Sequence, residues 1–142
     1  MPRRAVSPFI DNYGRLRRGL ATVADEVYAP LGVGATQAKL LRAVGEQQPM
    51  SQADLARATA TDPALTGRAL RTLLDRGWVR RRRSREDRRA FSLELTPEGE
   101  ALYKKVRKAR QTFQARIDAC LDESDLAAFD RIVEKLLAAF AG

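Results

Sequence analysis

The sequence predicts a mainly α-helical single domain that carries one small β-hairpin. Three observations lead there. Apolar residues recur at steps of three and four near both ends of the chain, the period of a helix with one buried face. Between them, two short helical stretches abut through a tight connection. Directly after these, a stretch alternates apolar and polar residues with period two, the mark of a half-buried strand. It lies beside a ten-residue run, Arg80 to Arg89, that holds seven arginines.

Phe9, Tyr13, Leu16, Leu20, Val23 and Val27 set the first helical stripe, with Ser7 as a cap and Pro8 in the first turn. Pro30, Gly32 and Gly34 end it. A second helix is expected from Thr36 to about Gln47, turning Ala38, Leu41 and Val44 inward, and Pro49 closes it. The tetrad Ser51-Gln52-Ala53-Asp54 reads as a capping box, with Asp54 where Glu or Gln is commoner. It opens a short helix carrying Leu55 and Ala56. Asp62 then caps, Pro63 suits the first helical position and Gly77 suits the residue past the end. Along that helix Leu65, Ala69, Leu70, Leu73 and Leu74 form the apolar face. Thr66, Gly67, Arg68, Arg71 and Thr72 are left to the outside or the flanks. Two short helices so joined have the pattern of a helix-turn-helix, although a plain structural hairpin of helices has it too.

Val79 to Arg83 reads as a strand. Phe91, Leu93 and Leu95 alternate with Ser92, Glu94 and Thr96 in a second one, so the arginine run is the end of one strand plus the hairpin tip. Thr96-Pro97-Glu98 supplies a cap, a first-turn proline and an acid at the positive helix end. The long helix that follows carries Leu102, Val106, Ala109, Phe113, Ile117 and Cys120 or Leu121 at helical spacing. Asp122 to Asp125 starts a last helix with Leu126, Phe129, Ile132, Val133, Leu136, Leu137 and Phe140 inward. So small a central unit cannot cover three apolar-striped helices, whereas a second copy can. The expected layout is one domain over 1–142. Helices in 8–29 and 97–140 make the dimer, and the region 36–96 between them holds the second helix of the motif (about 62–76) and the hairpin (about 79–96).

Composition narrows the function. The 142 residues are 44% hydrophobic and 31% charged, a globular balance. Net charge is +8, and the arginine run, with seven Arg against two acids, supplies +5 of it. So local an excess is the footprint expected for an anionic partner. With no histidine and a single cysteine, Cys120, the chain lacks the makings of a His-based triad, a His metal site or an intrachain disulfide. Neither a glycine-rich phosphate loop nor a clustered set of carboxylates points to an enzyme. One thiol fits a reducing cytosol. No apolar run approaches the ~18 residues of a membrane span, and the first ten residues lack the apolar core of a signal peptide. A cytoplasmic protein without cofactor is the expectation.

The order of helices, helix-turn-helix, basic hairpin and two long helices resembles the multiple antibiotic resistance regulator (MarR) family of bacterial transcription factors. The resemblance spans nearly the whole chain and is strongest over Ser51–Ala56, Thr66–Arg81 and Ser84–Leu102. At its centre are an Asp-x-Arg pair at the hairpin tip, Asp87 and Arg89, and the sequence Leu95-Thr96-Pro97-Glu98-Gly99 after the second strand. Gly67 departs from the family, which more often has Thr there, as do Arg71-Thr72, where Asp-Arg is commoner. These departures bear on base preference rather than on fold.

The resemblance implies a homodimer on double-stranded, pseudo-palindromic operator DNA, a repressor released by a small molecule such as an aromatic acid. Thr66, Gly67, Arg68 and Arg71 then meet the major groove, Arg68 foremost. Arg71 has the alternative of an ion pair with Asp75 at i+4. Ser51 and Gln52 open a helix whose amides can hold a phosphate, although Ser51 serves equally as a cap. Arg82, Arg83, Arg85, Arg88 and Arg89 belong to the hairpin, where arginine suits a narrow minor groove. Because Arg80 to Arg83 alternate across a strand, some of them face away from phosphate. The resemblance further implies that Asp87 holds Arg89 in place. A pocket between the dimer helices and the winged region is implied too, with Tyr13, Arg17, Tyr28, Leu31 and Trp78 as its candidates. Cys120 reads either as a redox sensor, as some family members have, or as a small buried hydrophobe. A reading from another class stands beside this one: a basic architectural or RNA-binding protein that makes no sequence choice.

Overall fold

The computed structural model describes residues 8–83 and 91–141. In chain order the elements are α1 (Phe9–Tyr28), a short 3-10 turn (Ala29–Leu31), α2 (Ala35–Gln47), α3 (Gln52–Thr59), α4 (Pro63–Asp75), β1 (Val79–Arg83), β2 (Phe91–Leu95), α5 (Pro97–Asp118) and α6 (Glu123–Phe140). The class is the expected one, mainly helical with one two-stranded hairpin.

Most boundaries have a local cause. At α3 the Asp54 amide donates to Ser51 Oγ at 3.0 Å and the Ser51 amide returns a bond to Asp54 Oδ2 at 3.4 Å. Hydrogen bonds from Ser51, and then Arg57, hold the Asp54 carboxyl below the usual carboxylate range. Asp62 Oδ2 accepts from the amides of Ala64 and Leu65, both at 3.1 Å, and Pro63 follows at a position that has no intrahelical donor to lose. Gly77, at φ 73°, takes the left-handed turn that leads from α4 into β1. At the start of α6, Asp122 and Asp125 bond each other's amides at 2.8 and 3.1 Å. The first helix differs from expectation. Pro8 is its N-cap rather than a first-turn residue, its carbonyl accepting from the Asn12 amide at 2.8 Å, and Ser7 lies outside the described residues.

The core gathers around α2, which buries Ala38, Leu40, Leu41 and Val44. Leu55 of α3, Leu70 and Leu73 of α4, Val79 and Leu93 of the hairpin and Val106 of α5 close over it. The strands pair antiparallel from Val79 opposite Leu95 to Arg83 opposite Phe91. Met50 docks on the far edge of β2, exchanging both backbone bonds with Leu93 at 2.6 and 3.3 Å. Gln48 Oε1 accepts from the Leu95 amide at 2.8 Å, and this fixes the base of the hairpin to the start of the helix-turn-helix.

The inward assignment of Leu65 is corrected. On α4 the buried stripe is Thr66, Ala69, Leu70 and Leu73, at i, i+3, i+4 and i+7, so Leu65 falls one residue off it and is 38% exposed. On α6 no residue is buried within the chain, and Phe129 (53%) and Phe140 (77%) stand out in solvent. Phe9, Ile10, Tyr13, Leu16 and Leu20 of α1 are exposed as well. Cys120 follows the end of α5 and is exposed, its thiol donating to the Arg116 carbonyl at 3.3 Å, so it is not the buried hydrophobe its spacing suggested. No helix among the described residues is long and apolar enough to cross a membrane.

Candidate nucleic-acid interface

Capped at Asp62 and held to the core by Leu70 and Leu73, α4 turns Arg68 and Arg71 to solvent, with Gly67 half-buried beside them. Neither arginine has an ion pair among the described residues, so the Arg71–Asp75 bond is not formed. Thr66 is corrected from a groove contact to an interior residue. It is 0% exposed, and its hydroxyl donates to the Asp62 carbonyl at 2.9 Å, which satisfies the one polar group on the buried stripe. Gln52 is exposed at the start of α3 and reaches across to Gly67, while Ser51 is taken up by its cap.

Alternation along β1 separates its arginines. Arg80 and Arg82 share a face with Glu94 of β2. Arg80 Nε lies 2.6 Å and Arg82 Nη1 3.6 Å from Glu94 Oε1, so this pair is partly neutralised. Arg81 and Arg83 are exposed on the other face, and the Arg83 guanidinium stands 5.8 Å from the Phe91 ring centre. Arg81, opposite Leu93, has no ion-pair partner among the described residues and is a hairpin cation that reading the run as a whole did not single out. Arg85, Asp87, Arg88 and Arg89 lie outside the described residues.

The motif Leu95-Thr96-Pro97-Glu98-Gly99 joins the hairpin to α5. The Thr96 amide donates to the Trp78 carbonyl at 3.1 Å, its hydroxyl donates to the Gly77 carbonyl, and the same Oγ1 accepts from the Gly99 amide at 3.0 Å. Gly99 is buried, and a Cβ on it would overlap the backbone oxygen of Trp78. The turn that ends α4 is thus riveted to the first turn of α5, which fixes the hairpin beside α4.

The five residues foreseen for a small-molecule pocket do not converge within the chain. Tyr13 and Arg17 are exposed on α1, fifteen and eleven residues before Tyr28. At a rise of about 1.5 Å per residue they lie roughly 22 and 16 Å along the axis from it. Leu31 and Trp78 pack against the core, and Arg76 lies 5.3 Å from the Trp78 ring centre. Of the five, Tyr28 is the one that lines the cleft of about 290 Å³ between α1, α2 and α5. Ala24 and Phe113 give it apolar walls, and Lys39, Arg42 and Arg110 give it three cations, of which Arg42 also pairs with Glu46 at 3.1 Å. Burial pushes the Tyr28 phenol up, against the pull of Arg110 and Arg42, so it stays a neutral donor. The sequence reading missed these cations because they come from elements far apart in the chain.

The model of the MarR family matches residues 34–91. The HTH-type transcriptional repressor Rv2887 of Mycobacterium tuberculosis is 32% identical over 108 residues, 76% of this chain and 78% of that protein. The crystal structure of that MarR family protein in complex with p-aminosalicylic acid matches at a TM-score of 0.67 and 28% identity, over 92% of this chain and 98% of that one. A mutant MarR from E. coli complexed with operator DNA has the same fold, at a TM-score of 0.80 and 22% identity over 94% of this chain and 99% of that one. The helix-turn-helix, the hairpin riveted to it and the relatives agree, and the chain belongs to the MarR family of transcriptional regulators.

Proposed function

We propose that the chain is a sequence-specific DNA-binding repressor. As a homodimer it sets two copies of α4 in successive major grooves of a pseudo-palindromic operator, and a small aromatic acid releases it. The observation that carries this is the outward face of α4, where Arg68 and Arg71 stand exposed and without ion pairs among the described residues. Arg81 stands exposed on the hairpin, and the resemblance adds Arg85, Arg88 and Arg89, with Asp87 holding Arg89 in place. The uncovered apolar faces of α1 and α6 support the second copy. Arginine meets guanine O6 and N7 bidentately, so a paired presentation of Arg68 reads sequence as well as charge.

Selection from a random duplex pool tests this. The expected winner is an inverted repeat whose half-sites lie one helical turn, ~34 Å, apart, bound at least ~10³-fold more tightly than a scrambled duplex at the same salt. A protein that binds every duplex alike, or single-stranded RNA as well as duplex DNA, is the architectural binder instead.

For the effector, the cationic cleft at Tyr28 is the site we favour. Its walls suit an aromatic ring, and its cations suit a carboxylate. An acid bound there, against α1, α5 and α2, tilts the winged region and spoils the half-site spacing. Linkage then requires that operator weaken the acid by the same factor, typically ~5–150-fold. Titration with a hydroxybenzoate is expected to show that coupling, and Arg110→Ala is expected to weaken the acid roughly tenfold. Equal affinity with and without operator would show that an acid in this cleft does not control DNA binding.

A further inference from the structure

Gly67 is a glycine that its own chain does not require. It sits inside α4 at right-handed backbone angles, and a Cβ built on it meets only Gln52 Nε2, at 3.6 Å, an ordinary contact. A glycine within a helix is less stable than alanine, chiefly because the unfolded chain has more freedom to lose. Gly99 is the contrast, since there the Trp78 backbone excludes any side chain. Nothing comparable crowds Gly67, and its surroundings are those of the proposed interface, with exposed Arg68 next in the chain. Over the bare backbone lies the carboxamide of Gln52, the first residue of α3, which has no hydrogen-bond partner among the described residues.

We propose that α4 comes closest to a base-pair edge at Gly67, and that the Gln52 carboxamide, reaching over the bare backbone, reads that base pair. This rests on the DNA-binding reading above. A carboxamide offers a donor and an acceptor side by side, the pattern that adenine N7 and N6 complement in the major groove. A side chain at 67 would hold the helix off the groove and stand between the carboxamide and the base pair. Gly67 and Gln52 therefore act as one specificity element contributed by both helices of the motif.

The test uses full-length wild type, G67A, Q52A and the double variant, a duplex selected by the wild type, and a scrambled duplex. G67A is expected to melt a few degrees above wild type, because alanine fits the helix. It nevertheless binds the selected duplex about tenfold more weakly and the scrambled one unchanged. Q52A loses a similar factor with an unaltered salt slope, since the carboxamide is uncharged. The double variant loses little more than either single one, because both remove the same contact. Wild-type binding by G67A, equal losses on both duplexes, or losses that multiply in the double variant would each overturn the proposal. A wild type that selects no sequence overturns the DNA-reading function and this element with it. A wild type that selects while G67A binds normally overturns this element alone.

Discussion

Gly99→Ala is expected to destabilise the protein by about 3 kcal/mol or more, at the top of the range for overpacking a filled site. The added methyl cannot turn aside, because it would meet the Trp78 carbonyl oxygen, which is backbone and already accepts the Thr96 amide. Either the α4–β1 turn must move or the first turn of α5 must. Either movement breaks the Thr96 bonds to Trp78 and Gly77 that join the two turns. Urea unfolding followed by circular dichroism measures this. A variant within about 1 kcal/mol of wild type would show that the turn is not riveted as described.

Phe129→Asp is expected to leave the winged region folded and to abolish the dimer. Phe129 is 53% exposed within one chain, so a charge there costs the single copy little. In a twofold interface each substitution appears twice, and burying two unpaired carboxylates costs several kcal/mol apiece. Loss of the dimer turns one bivalent encounter into two weak ones, which lowers operator affinity about a hundredfold or more. Light scattering and duplex titration read the two consequences separately. A Phe129→Asp protein that remains dimeric would place the interface elsewhere than on α6.

Much of this was legible in the sequence wherever the cause was short-range. Ser51 with Asp54, Asp62 with Pro63, and Gly77 are all settled within one turn of chain, and each appears where the sequence places it. Thr66 was misread because a hydroxyl looks polar in sequence, yet in a helix it can spend its donor on the carbonyl four residues back and join the core. Periodicity on α6 identified an apolar stripe correctly but could not say whether its cover is the same chain or another copy. The cleft at Tyr28 was invisible because Lys39, Arg42 and Arg110 meet only after α2 and α5 pack together. Met50 was equally hidden, since its bonds to Leu93 span the helix-turn-helix. Gly99 was noticed as part of a motif, but only the neighbouring Trp78 backbone explains why it is glycine.

Arg68→Ala distinguishes an α4 that reads bases from one that merely meets phosphate. Arg68 is exposed and takes no part in the core, so its removal leaves the fold intact. The quantity to measure is the ratio of dissociation constants for scrambled and selected duplexes at one fixed salt concentration. If Arg68 meets a base edge in each half-site, the ratio falls by about tenfold or more, from a loss of ~1–3 kcal/mol per contact, while scrambled-duplex binding changes far less. If instead Arg68→Ala weakens both duplexes by the same factor and the ratio stands, Arg68 touches only phosphate and α4 is not the reading helix.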